Sequence, residues 1–162
     1  MVRLLQPWHA NLGKRQIKSP KLYFRDTGLL HALLGIHTEK ELYLHPRCGS
    51  SWERFVIEEM IKTISPDEVY FGGTYSGAEL DLLLVKDGRR IWVECKRMDA
   101  PRLTLSMRTA IQDLELSRLL VIYPGLKPYP LAENIQVLPL ASLAGDWGGI
   151  LDSNQTTSAL PG

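Results

Sequence analysis

Residues 77–96, GAELDLLLVKDGRRIWVECK, read as two strands joined by a turn at Lys86-Asp87-Gly88-Arg89, and each strand carries acid in apolar surroundings. Asp81 stands between Leu80 and Leu82, with Leu83 and Val85 on its own side of a two-residue repeat. In Ile91–Lys96 the same repeat sets Ile91, Val93 and Cys95 on one face and Trp92, Glu94 and Lys96 on the other. An Asp, a Glu and a Lys on adjacent central strands lose hydration heavily unless they bind something. A divalent cation with an activated water accounts for all three. The plainer alternative is a salt-bridged hairpin edge with Lys96 extending to water.

Outward from this hairpin, the spacing of apolar residues and breakers predicts a helix over about Ser50–Ile64, stopped by Ser65-Pro66, and a strand at Glu68–Gly72. The hairpin strands follow at Ala78–Val85 and Arg90–Lys96. An amphipathic helix at Thr104–Leu116 and a buried strand at Leu119–Tyr123 come next. Helix, three strands, helix, strand is an α/β core with a mixed central sheet flanked by helices. Upstream, Lys21–Arg25 reads as a short strand, and Asp26-Thr27 caps a helix over Gly28–Leu34 closed by Gly35. Downstream, Ile135–Leu138 is a last strand followed by a helical turn at Pro139–Ala144. The layout is then a basic leader and small helical subregion over 1–47, a core over 48–144, and a flexible tail over 145–162.

On a helical wheel, Trp52, Val56, Ile57, Met60, Ile61 and Ile64 share one apolar arc. Glu53 falls near its centre, Glu59 near its rim, and Arg54, Glu58 and Lys62 outside it. Glu53 is therefore the glutamate aimed at the sheet, where it joins Asp81 and Glu94. Such a carboxylate cluster calls for a cation. Pairing of Glu53 with Lys96 or an arginine is the structural alternative.

The chain has 162 residues, 44% hydrophobic and 23% charged, enough for one well-buried domain. No apolar run is long enough to span a bilayer, and MVRLLQPWHANLGKRQ lacks the apolar centre of a secretion signal. Cys48 and Cys95 read as buried thiols of a reducing cytoplasm, since they form no Cys-x-x-Cys or Cys/His group. Net charge is only +1, which argues against a constitutive nucleic-acid binder. The charge is uneven, however. Residues 1–31 hold Arg3, Lys14, Arg15, Lys18, Lys21 and Arg25 against the single acid Asp26. Lys14, Arg15, Lys18 and Lys21 form a cluster suited to phosphates, or equally a solvated loop. No Gly-x-x-x-x-Gly-Lys-Ser/Thr loop is present, which excludes ATP binding of the P-loop kind.

A Glu on the first helix, then Asp, then Glu-x-Lys on consecutive strands resembles the PD-(D/E)XK nuclease superfamily, the restriction-endonuclease-like fold, whose αβββαβ order also agrees. KSPKLYFRDTGLL (18–30), SWERFVIEEM (51–60), SGAELDLLL (76–84) and VECK (93–96) more closely resemble a prokaryotic domain of unknown function that follows an AAA-type ATPase module. The resemblance covers roughly residues 1–144. It implies a truncated form or stand-alone gene fragment of such a protein. It also implies a Mg²⁺- or Mn²⁺-dependent hydrolysis of DNA carried by Glu53, Asp81, Glu94 and Lys96. Asp81, Glu94, Glu53 and the backbone carbonyl of Cys95 would hold the cation, with Glu79 as a further acid. Lys96 would orient the attacking water. Gln112 is a weaker candidate contact, and His9, His31, His37 and His45 read as structural or exposed. Two other readings stand beside the nuclease. One is a non-catalytic module docking DNA or protein for the ATPase; the other is a regulatory domain binding a partner through Leu29–Leu34.

Overall fold

The computed structural model describes residues 1–8, 19–74 and 77–144. Eight strands form one mixed sheet: β1 (Val2–Pro7), β2 (Lys21–Phe24), β3 (Glu68–Gly73), β4 (Glu79–Lys86), β5 (Arg89–Cys95), β6 (Leu119–Tyr123), β7 (Tyr129–Ala132) and β8 (Ile135–Pro139). Their spatial order is β2-β1-β3-β4-β5-β6-β8-β7. Helices α1 (Thr27–Leu33), α2 (Glu39–Leu44), α3 (Cys48–Ile64) and α4 (Leu105–Asp113) accompany them, with a 3₁₀ turn at Leu140–Ala144. The expected sequence of helix, three strands, helix, strand is α3-β3-β4-β5-α4-β6, within an α/β fold.

The hairpin is the centre of this sheet. β4 and β5 are antiparallel neighbours, paired from Leu82↔Val93 to Lys86↔Arg89. Asp87 (φ 50°) and Gly88 (φ 74°) form the two-residue turn. Both central residues have positive φ, the geometry that matches the right-handed twist of flanking strands and favours an Asp-Gly pair. β5 and β6 run parallel, joined through α4. All five residues of β6 are buried, as a strand covered on both faces requires.

Two apolar layers sandwich the sheet. On one face Val56, Ile57, Met60 and Ile64 of α3 pack on Leu82, Leu84, Ile91, Val93 and Cys95. On the other, Met107 and Ala110 of α4 pack on Leu80, Leu83, Trp92, Leu119 and Val121. Asp26 caps α1 by accepting the Leu29 amide at 2.9 Å. Ser65 ends α3 in the left-handed region, φ 49°.

Three elements differ from the sequence reading. The expected leader contributes β1, which pairs antiparallel with β2 and parallel with β3. Its inward residues are Arg3, Leu5 and Pro7, and Val2 and Leu4 point outward, so the apolar residues of VRLLQP do not follow the strand's alternation. Helix α2 buries none of its residues and stands on a capping box between Thr38 and Glu41. That Thr-x-x-Glu signal is present in the sequence, without an apolar face to accompany it. β7 holds Pro130 and lies at the sheet edge, where a missing N–H is tolerated. Residues 145–162, expected as a flexible tail, lie outside the described residues.

Candidate functional site

A bulge sets the geometry of the site. Between β3 and β4 the register passes from Tyr70↔Leu83 to Gly72↔Leu80, so β4 carries one residue more than its partner there. Leu82 and Leu84 accordingly face α3, whereas Leu80 joins Leu83 on the α4 side. The strict two-residue repeat that would put Asp81 and Leu83 on one face therefore does not hold through this stretch. Bulges re-aim a side chain and concentrate beside functional sites; here the re-aimed residue is Asp81. Its Oδ2 accepts the Cys95 amide at 2.7 Å, just past the last β4–β5 pair at Leu82↔Val93.

Glu94 on β5 is 7% exposed. Its Oε1 accepts a hydrogen bond from Lys96 Nζ at 2.5 Å, while Oε2 is buried without a hydrogen-bond partner. Burial first, and then the Asp81 charge, push the Glu94 carboxyl up to about 7, against the opposing pull of Lys96. Asp81 is also raised by burial, moderated by the Cys95 amide and by Lys21 and Lys96. Burial lowers Lys96, but the Glu94 hydrogen bond and the Glu94 and Asp81 charges outweigh it and raise the ammonium. Lys96 is thus a fixed cation beside two carboxylates.

Glu53 comes from α3, turned toward the sheet as the wheel predicts. Burial raises its carboxyl and Asp81 raises it further, against Lys21 and Arg54. Glu94 feels Glu53 least among its principal neighbours. Among neighbouring charges, that of Asp81 acts on Glu53 most strongly. Glu79, at the start of β4, lies at the rim with Lys21 Nζ 3.6 Å from its Oε2.

Glu58 departs from its expected place outside the packed arc. It is 13% exposed and binds Arg3 through two hydrogen bonds and Arg25 at 3.1 Å. The wheel marked the face that meets the central sheet; β1, which brings Arg3, adds a second surface that covers Glu58.

The other predicted residues divide. Lys14, Arg15 and Lys18 lie outside the described residues, as does His9. Lys21 is described and stands on the acid side of the domain. Gln112 is exposed on α4. His31 bonds Ser51 Oγ at 2.6 Å, joining α1 to α3, and His45 Nδ1 accepts the Arg47 amide at 3.1 Å, both structural contacts. Cys48 and Cys95 are free buried thiols, and Cys95 is raised well above its usual range by burial and the surrounding carboxylates. No described helix is long and apolar enough to cross a membrane.

A hard cation fits the donor set. Buried polar atoms almost always find partners, and Glu94 Oε2 is an unpartnered acceptor on a carboxylate that feels the charge of half-buried Asp81. Among the described residues no three His, Cys, Asp or Glu side chains form a ready cage. Mg²⁺ does not need one, since it keeps several waters and takes one or two carboxylates together with substrate phosphate. Asp81 and Glu94 supply that number.

Comparison with known proteins gives family without activity. An uncharacterized protein of Mycobacterium tuberculosis and one of Mycobacterium bovis are each 46% identical over 139 residues, 86% of this chain and 32% of the relative. The chain thus spans about a third of the length of these curated relatives. No solved structure matches it. Residues 1–40 match the model described as Domain of unknown function (DUF8612). Residues 48–143, from the first residue of α3 to the 3₁₀ turn, match a second model, and by that match the chain belongs to the family described as Domain of unknown function (DUF4143).

Proposed function

We propose that this domain is a Mg²⁺-dependent nuclease-like module that hydrolyses DNA phosphodiester bonds, akin to the PD-(D/E)XK superfamily and normally joined to an AAA-type ATPase. The observation that carries the reading is the buried, unpartnered Oε2 of Glu94, on a carboxylate whose other oxygen accepts Lys96 Nζ and which feels the Asp81 charge.

Asp81 and Glu94 would hold the cation, with the Cys95 carbonyl and Glu53 at its margin. Bound there, the cation would polarise a phosphoryl oxygen and acidify a coordinated water. Lys96 directs a fixed positive charge at the place where the phosphoryl group gains negative charge, and this favours the transition state over the ground state. Glu94 holds Lys96 in position through the 2.5 Å hydrogen bond. The Cys95 amide fixes one Asp81 oxygen and leaves the other for the cation.

The test is hydrolysis of linear, nicked and single-stranded DNA in Mg²⁺ or Mn²⁺. Wild type should cleave slowly at least, Lys96→Ala should lose cleavage while still binding metal, and Asp81→Ala should lose both. Glu59→Ala, outside the site, should change little. Cleavage that survives Lys96→Ala and Asp81→Ala alike would mark a contaminating nuclease.

The second reading is a non-catalytic module that docks DNA or protein for the ATPase. The net charge of +1 favours it, since affinity for free DNA rests on neutralising phosphates. Normal metal binding with no cleavage of any DNA form would select it.

A further inference from the structure

The sequence suggests Lys21 as a phosphate contact in a basic leader, but the sheet puts it elsewhere. Lys21 pairs with Leu5 on β1, and β1 lies against β3 through Gln6↔Tyr70 and Pro7↔Phe71. From β2 its side chain reaches past these strands toward β4. The ammonium sits 4.8 Å from the centre of the buried Phe71 ring and 3.6 Å from Glu79 Oε2. Phe71 belongs to the layer that holds Cys95, Leu82 and α3. The ammonium is therefore on the side of the sheet from which Glu53 approaches, and its charge favours the ionised forms of both Glu53 and Asp81.

The Phe71 contact and the pair with half-exposed Glu79 each contribute only modestly to folding. The balance changes when the carboxylates are considered together. Lys96 is bonded to Glu94 and also acts on Asp81, and Arg54 acts on Glu53, but Lys21 is the cation that favours the ionised forms of both Asp81 and Glu53 while sitting beside Glu79.

We propose that Lys21 is the built-in counter-ion of the Asp81–Glu53–Glu79 half of the site, a positioning residue that a divalent cation must displace or repel. This rests on the metal-site reading above and extends it. Lys21 keeps the carboxylates arranged when no cation is present and restricts the site to a single cation near Glu94. It also makes the segment matched over 1–40 part of a site built on residues 48–143.

Two measurements on the 162-residue chain test the proposal. The first is thermal unfolding without metal, as a double-mutant cycle. Lys21→Met should lower the melting temperature in the wild-type background and much less in an Asp81→Asn background, with Lys21→Arg close to wild type. Equal losses in both backgrounds would overturn the counter-ion role. The second is Mn²⁺ calorimetry, in which Lys21→Met should bind about tenfold more tightly than wild type, as removal of one competing charge near a cation site implies. Unchanged or weaker Mn²⁺ binding by Lys21→Met, beside a wild type that binds, would overturn the competition. A positive cycle in a protein that binds no Mn²⁺ in any form would retire the metal reading and uphold Lys21 as the counter-ion of the carboxylates.

Discussion

Asp81 on β4 accepts the main-chain N–H of Cys95 on β5 through Oδ2 at 2.7 Å, one residue from Glu94 on the same strand. The bond replaces a backbone acceptor with a side-chain carboxylate where the β4–β5 pairing ends. It couples the position of the first acid to the strand that carries Glu94 and Lys96. The bulge between Tyr70↔Leu83 and Gly72↔Leu80 sets this position, and removing it would shift Asp81 by one residue and break the coupling.

Asp81→Asn and Asp81→Ala should therefore behave differently without metal. Asn keeps an acceptor for the Cys95 amide and removes repulsion with Glu94 and Glu53, so its stability should equal or exceed that of wild type. Ala leaves a buried N–H unpaired and should be less stable than Asn by about 1–3 kcal/mol. Chemical denaturation of both variants checks the order.

The raised Glu94 carboxyl gives a signed pH dependence. Its pKa rises from 4.5 to about 7 on folding. The native state binds the proton more tightly, so this contribution is fully present below about pH 4.5 and is lost as pH rises toward and through 7. Asp81 and Glu53 are shifted the same way. Metal-free protein should lose stability across that window, and Glu94→Gln should flatten the slope. Urea unfolding at a series of pH values, with and without Mg²⁺, measures this; Mg²⁺ should recover stability most at the upper end.

Gly72→Ala should be costly for a steric reason. A Cβ there would lie 2.4 Å from Trp92 Cζ3 and 3.3 Å from Leu80 Cβ. Trp92 is buried and packed edge-on by Trp8, with ring centres 5.1 Å apart, so it has little room to yield. Overpacking of this kind costs about 1–3 kcal/mol. Gly49→Ala, which meets nothing within 4 Å in the first turn of α3, should be neutral or stabilising by up to about 1 kcal/mol. Melting curves of the two variants provide the contrast.

Glu58→Ala should separate structure from site. It strands Arg3, which is largely covered, and should destabilise by about 1–3 kcal/mol. Affinity for Mg²⁺ should stay at the wild-type value, since Glu58 is tied to Arg3 and Arg25. Calorimetry alongside unfolding makes the comparison.

Local pattern carried most of the core. The Asp87-Gly88 turn, the alternation of Ile91–Cys95 and the apolar arc of α3 each specify their own geometry, and together they place Asp81, Glu94, Lys96 and Glu53 on adjoining elements. What escaped the sequence depends on distant chain. The bulge at Asp81 exists only relative to β3, β1 has one buried residue to announce it, and Glu58 is covered only because β1 is there. The meeting of Lys21 with Phe71 and Glu79 follows from strand order, which no local period encodes.

The most direct measurement is calorimetric titration of Mg²⁺ into wild-type protein and Asp81→Ala near pH 7.5, above the value to which Glu94 is raised. A cation site built on Asp81 and Glu94 predicts saturable binding by wild type, with release of protons from the carboxylates, and loss of that binding in Asp81→Ala. Equal heats for the two proteins, or no binding by a folded wild type, would contradict it.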